Sequence, residues 1–149
     1  MLVSELKVKI KIRRIDQSLP LPEYHSLGAA GFDFCCRETT TVESKSLGYI
    51  SLNVAIALPD GHMILLAARS STPKRGLMLA NGVGIMDRDY AGNSDEYKAV
   101  VYNYTAQPVT VMRGERIVQG IVLRSDQVEW EEVSDLGVSD RGGFGTTGK

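Results

Sequence analysis

The chain has 149 residues, 43% hydrophobic and 23% charged, a balance that suits one globular domain and excludes global disorder. Its formal charge of −1, from 17 basic and 18 acidic groups, excludes bulk polycation binding to nucleic acid as its main business. No apolar run approaches the roughly 20 residues needed to span a bilayer. The opening MLVSELKVKIKIRR has no apolar stretch of secretory-signal length, so a cytoplasmic location without membrane contact is expected.

The dominant periodicity is two. Val8, Ile10 and Ile12 alternate with Lys7, Lys9, Lys11 and Arg13, which predicts a strand with one apolar and one basic face. No aromatic residue is interleaved there to stack bases, so the basic face reads as solvated and no nucleic-acid partner is expected. Cys35 and Cys36, the only cysteines, are adjacent and read as small half-buried strand residues. They cannot close a stabilising loop, and with the distant His25 and His62 they leave no tetrahedral zinc spacing. Leu52, Val54, Ile56 and Leu58 alternate as one strand that ends at the Pro59-Asp60-Gly61 turn. Met63–Ala67 and Ala99–Tyr104 read as more deeply buried strands, and Val109–Val111 and Ile117–Leu123 continue the pattern around an Arg113-Gly114-Glu115 turn. The one helical turn expected lies at Ser71–Arg75, with Pro73 at a first helical position after a Ser or Thr cap. Asn81-Gly82 is a hairpin signal. A strand over Val128–Val133 and then a polar linker are expected after Arg124. The final RGGFGTTGK cannot bury enough surface to order itself unless something docks it. Many short strands with regular turns indicate an all-β sandwich, jelly roll or barrel.

Five segments are unusual for a plain β domain: AAGFDFCC with Asp33, LAARSSTPKRG with Arg69, Ser70 and Ser71, ANGVGIMDRDYAG with Asn81, Asp87 and Tyr90, RGERIVQGI with Gln119, and the glycine-rich tail. Each has a plain reading. Asp33 can cap a turn, Arg69-Ser70-Ser71 can start a helix, Gln119 can satisfy a strand edge, and a glycine-rich end is commonly a linker. Together they supply amides, hydroxyls, arginines and lone carboxylates, with no cysteine or histidine nucleophile. That inventory suits a polyanion, most naturally a nucleotide with phosphates.

In order and spacing these segments resemble the five motifs of the trimeric deoxyuridine triphosphatase (dUTPase) family, covering Ala29 to Lys149. The resemblance implies a distorted jelly-roll β-barrel over residues 1–140 and a flexible glycine-rich C-terminal arm over 141–149. It also implies a homotrimer with sites shared between subunits, and hydrolysis of dUTP to dUMP and pyrophosphate with Mg²⁺. Such an activity keeps uracil out of DNA and supplies dUMP for dTMP synthesis. By position, Asp87 would activate the water that attacks the α-phosphorus. Asn81 and the backbone of Gly84, Ile85 and Met86 would read uracil within a hairpin, and Tyr90 would pack on the deoxyribose. Arg69, Ser70, Ser71 and Gln119 would hold the phosphates, and Asp33 would bind the metal through water. Phe144 would stack on the base, with Gly145, Thr146 and Thr147 closing on the phosphates; Lys98 would line the pocket and Arg141 would reach the γ-phosphate.

The chain departs from the family pattern in three places. Arg141 directly precedes Gly142-Gly143, Gly120 stands where a larger apolar residue is usual, and AGNSDEY after Tyr90 is longer than the common form. A dCTP deaminase shares the Arg-Ser-Ser element but needs a carboxylate on the strand after the hairpin, and KAVVYNYT has none. A non-enzymatic nucleotide-binding module is the other alternative, which the intact Asp87 and complete tail oppose.

Overall fold

A computed structural model describes residues 7–145. The strands in chain order are β1 (Lys11–Arg14), β2 (Phe32–Phe34), β3 (Thr40–Val42), β4 (Leu47–Ser51), β5 (Val54–Ala57), β6 (His62–Ala68), β7 (Leu77–Leu79), β8 (Gly84–Met86), β9 (Lys98–Asn103), β10 (Val109–Val111) and β11 (Val118–Arg124). The helical content among the described residues is a single 3₁₀ turn at Thr72–Arg75. All named ladders are antiparallel: β1 with β5, β3 with β10, the row β2-β11-β6-β8, and the row β4-β9-β7.

Alternation builds the interior. Along β9, Ala99, Val101 and Asn103 point inward while Lys98, Val100 and Tyr102 lie further out, and the same rule buries Ile64 and Leu66 on β6. These side chains join Phe34, Ile50, Leu52, Val54, Leu77, Val111 and Val118 in one core. Asn103 is buried without penalty because its amide donates to the carbonyls of Val42 and Gln107 and its oxygen accepts from Thr105.

Several expected elements differ. Asn53, at φ +69°, is a bend, so only Val54–Ala57 of the Leu52–Leu58 alternation forms a strand, β5. Its amide pairs with the backbone of Asp16, donating to the carbonyl (3.0 Å) and accepting from the N–H (2.7 Å), so side-chain pairing replaces ladder pairing there. The first strand begins at Lys11 rather than Val8, and its Val8 and Ile12 side chains remain exposed. No strand forms over Val128–Val133. Its residues find no ladder among the described residues, and Trp130 stands 88% exposed. The segments flanking Asn81-Gly82 do not form a hairpin ladder, because β7 pairs with β9 and β8 with β6. Pro73 is the second residue of its 3₁₀ turn, and Ser71 precedes that turn without a side-chain capping bond.

The Gly120 departure has a packing cause. A Cβ added there would stand 2.7 Å from the Phe34 ring and 2.8 Å from the Phe32 ring, two rings that meet edge-on at 5.3 Å. The phenylalanines of β2 occupy the volume that a larger residue on β11 would take. Gly120→Leu should therefore overpack this layer and cost about 1–3 kcal/mol. Thermal denaturation should show a melting temperature several degrees lower, and an unchanged melt would contradict the packing.

Candidate functional site

Three adjacent strands bring the first set of site residues together. Asp33 on β2 faces Gln119 on β11, and Gln119 faces Ala67 on β6. The chain leaves β6 at Ala68 and enters Arg69, so this arginine arrives beside Asp33 by topology. The Asp33 carboxylate is nine-tenths buried, and its Oδ2 lies 3.0 Å from Arg69 Nε, 3.4 Å from Arg116 Nη1 and 3.7 Å from His25 Nε2. Arg69 is pinned further by donating from Nη1 to the Arg116 carbonyl (2.9 Å) and from its backbone N–H to the Ile117 carbonyl (3.1 Å). Gln119 donates from Nε2 to the Ala68 carbonyl at 3.2 Å. Gly31 leaves it room, since a Cβ there would stand 2.6 Å from Gln119 Oε1.

These residues border a cleft of about 300 Å³ lined by Arg69, Ser71, Thr72, Arg75, Gly114, Glu115, Arg116 and Ile117. Its one lining carboxylate, Glu115, is committed to Arg75 at 2.9 and 3.3 Å. Burial pushes the Glu115 carboxyl up, but the Met112 N–H and Arg75 outweigh it and hold the group below the usual carboxylate range. Thr72 turns its buried hydroxyl to the Ile117 carbonyl, while Ser71 lines the cleft and both Ser70 and Ser71 are exposed. Guanidinium groups in an open cleft, beside exposed hydroxyls, have the chemistry to receive a multiply charged anion.

The third motif lies elsewhere. Gly84, Ile85 and Met86 form β8 against β6, and the side chain that Gly84 lacks would meet Leu66 at 3.0 Å, toward the core. Asp87 follows on the surface and lines a second cleft of about 600 Å³ with Asp60, His62, Ile85, Arg88, Asp89 and Asp126 among others. Arg88 pairs with Asp60 at 2.7 Å. The Tyr90 N–H donates to the Asp87 carbonyl at 3.3 Å, closing a turn, and the Tyr90 hydroxyl donates to the Glu96 carbonyl at 3.2 Å. The two clefts share no lining residue. Asn81 occupies an exposed turn, and Lys98, exposed at the start of β9, faces Ser51. Arg141 and Phe144 are exposed, with Phe144 at φ +50° and Gly145 at φ +88°. Thr146 and Thr147 lie outside the described residues.

Residues without a sequence signal hold this loop. Glu96, 9% exposed, receives two hydrogen bonds from Arg37 (2.7 and 3.0 Å) and one from the Asn53 N–H (3.0 Å). Arg116 lies in the RGERIVQGI segment, yet nothing in its spacing marks it as the second cation on Asp33. His25, in a loop, had no marker at all. Among the described residues no group of three or more His, Cys, Asp or Glu side chains could cage a metal ion, and no helix is long and apolar enough to cross a membrane.

A dUTPase family model matches residues 17–148. The deoxyuridine 5'-triphosphate nucleotidohydrolase of Wolinella succinogenes is 37% identical over 151 residues, covering 99% of each chain. The chain belongs to the dUTPase family. A crystal structure of a Streptococcus mutans dUTPase, 29% identical, superposes with a TM-score of 0.73 over 80% of this chain and 98% of that one. A mutant dUTPase of Staphylococcus bacteriophage 80alpha, solved with dUpNHpp, has a TM-score of 0.82 over 96% of this chain and all of that one, and at 20% identity it supports the fold alone. The jelly-roll dUTPase fold and membership of a class of dUTP-hydrolysing enzymes are thus established for the chain.

Two outcomes follow from this dUTPase site. Arg69→Ala removes the guanidinium that both faces the cleft and neutralises Asp33. Titration calorimetry with imidodiphosphate should show affinity about 10–100-fold weaker, the size of a charged hydrogen bond; equal affinity would place the anion elsewhere. Burial also pushes the Cys36 thiol up to about 12 from its ordinary 9.0, helped by the Glu115 charge. Burial, and then the Asp87 charge, push the Tyr97 phenol up to about 12 from 10.0. Both groups stay protonated in the fold at pH values where the unfolded chain has released the proton. Stability should therefore fall as pH rises from about 9 toward 12. Urea midpoints measured across that window should decline, and Tyr97→Phe should flatten the decline.

Proposed function

We propose that this chain cleaves dUTP to dUMP and pyrophosphate at sites built from several copies, with the arginine cleft holding the triphosphate and Asp87 activating water. The observation that carries this reading is the division of labour between the two clefts. One cleft has cations and hydroxyls for phosphates but no spare carboxylate, and the other has the exposed Asp87 but no surplus of positive charge. In-line attack on phosphorus needs a positioned water and charge stabilisation at the same centre. A second copy that brings its Asp87 turn to the first copy's Arg69 meets that need, which a homotrimer with shared sites accommodates.

Within such a site Arg69, Ser70, Ser71 and Gln119 hold the phosphate chain. Asn81 and the peptide groups of Gly84–Met86 read the base, and Tyr90 faces the sugar. Lys98 lines the pocket from the head of β9. Residues 141–149 act as an arm, in which Phe144 covers the base and Gly145, Thr146 and Thr147 close on the phosphates, with Arg141 nearby. Rejecting cytosine suits fixed amides, because a mismatched buried donor or acceptor carries a large penalty.

The donor set fits Mg²⁺ held through water. Asp33 offers a single carboxylate crowded by two guanidiniums, and Mg²⁺ takes most of its shell from phosphate oxygens and water. When bound, the ion neutralises charge on the phosphate oxygens. Asp33 orients its water shell, Arg69 and Arg116 set the position of Asp33, and Asp87 takes the proton from the attacking water. Deamination is disfavoured further, because Glu96, the carboxylate next to β9, is committed to Arg37 and the Asn53 N–H.

Pyrophosphate release measured across the deoxynucleoside triphosphates should be confined to dUTP. Asp87→Asn should keep nucleotide binding while turnover falls about 10²–10⁴-fold, the usual contribution of a general base. Turnover by Asp87→Asn at the wild-type rate would remove the carboxylate from that role, and ammonia released from dCTP would support deamination instead.

A further inference from the structure

Tyr97 is absent from the motifs and from the chemistry above, yet it occupies the most demanding position near Tyr90. It is fully buried at the head of β9, with its N–H donating to the Val54 carbonyl (2.8 Å) and its own carbonyl accepting from Leu52 (2.9 Å). Its ring lies against Tyr90 in a stacked arrangement, with centroids 6.3 Å apart and planes 27° from parallel. Its other ring contact is Phe34, at 6.2 Å, the residue next to Asp33. Its hydroxyl is the one buried side-chain polar atom without a hydrogen-bond partner among the described residues.

The Tyr90 ring is therefore held at two points by consecutive residues. The Glu96 carbonyl takes its hydroxyl, and the Tyr97 ring backs one of its faces, while Tyr90 as a whole stays 40% exposed. Glu96 is fixed in turn by Arg37 and Asn53. A tyrosine on a surface turn, with only its own rotamer preference, would swing; offset aromatic stacking restricts it. Discrimination by collision works only when the wall cannot yield.

Building on the proposal that Tyr90 faces the sugar, we infer that Tyr97 is a specificity-determining positioning residue whose ring fixes Tyr90 as a rigid wall against a 2′-hydroxyl. It acts through Tyr90 and touches no substrate itself. The longer AGNSDEY connection carries the chain from Tyr90 into the barrel so that Glu96 and Tyr97 return beneath that ring, with its turn closed by the Gly92 N–H on the Asp95 carboxylate at 2.8 Å.

The test compares kcat/KM for UTP and dUTP in the full-length wild type, Tyr97→Phe and Tyr97→Leu, with a thermal melt for each. Tyr97→Phe keeps the stacked ring and loses the orphan hydroxyl; it should melt at the same or a higher temperature and keep the wild-type selectivity. Tyr97→Leu keeps an apolar core but removes the ring. The UTP-to-dUTP ratio should rise about tenfold, mainly through KM for UTP, while kcat for dUTP stays within a few-fold. A folded Tyr97→Leu with unchanged selectivity overturns the inference, as does a Tyr97→Phe that behaves like Tyr97→Leu. If Tyr97→Leu does not fold, Tyr97→Met, unbranched and adaptable, carries the same comparison. Wild type that fails to turn over dUTP would instead overturn the functional reading on which this rests.

Discussion

A carboxylate taken out of water needs counter-charge close by, and much of this fold is arranged to supply it to Asp33. Arg69 Nε at 3.0 Å and Arg116 Nη1 at 3.4 Å converge on one oxygen. Arg69 follows β6 directly, and Arg116 immediately precedes Ile117 and β11. The order β2-β11-β6 must therefore form in register before the charges meet. Because both cations also border the 300 Å³ cleft, the ion pair that satisfies the interior also fixes the wall of that cleft.

The second constraint is geometric. The Asp87 turn is tied to the barrel through Tyr90, Glu96 and Arg37, on a surface whose cleft shares nothing with the arginine cleft. On the reading proposed above, one chain supplies the two halves of its catalytic centre from separate clefts. The exposed apolar side chains that find no cover among the described residues, from Val8 and Ile12 at one end to Val128, Trp130, Leu136 and Val138 at the other, agree with a molecule completed by its own copies. Symmetric association of identical chains is the economical way to bring both halves together.

Where alternation met a single-chain partner, the sequence was readable. Val54–Ala57, Met63–Ala67, Ala99–Asn103 and Val109–Val111 all lie in strands, because period-two burial is what the backbone pairs on. Alternation misleads where pairing is absent or interrupted. Val128–Val133 has the composition of a strand and no ladder among the described residues, and Asn53, bonding Asp16 through its side chain, shortens the Leu52–Leu58 run to β5. The short strands β3, β7 and β8 carried no alternating run that marked them in the sequence. For the site, the motif resemblance singled out Asp33, Arg69 and Gln119, and the register of β2, β11 and β6 brings them together. Arg37, Glu96 and Tyr97 could not be read in advance, since their partners are 43 to 59 residues away or lie in a turn whose path composition does not specify.

The central claim is that phosphate-holding and water-activating groups of one site come from different chains, and subunit complementation tests it most directly. Arg69→Ala and Asp87→Asn chains, each strongly impaired alone at dUTP concentrations well below saturation, would be unfolded, mixed in equal amounts and refolded together. The account expects activity to return to about a quarter of wild type, the fraction of sites in which random association pairs an intact Arg69 with an intact Asp87 from another chain. Mixed oligomers that form but remain as inactive as either parent would contradict it, since both residues would then serve the same site from one chain.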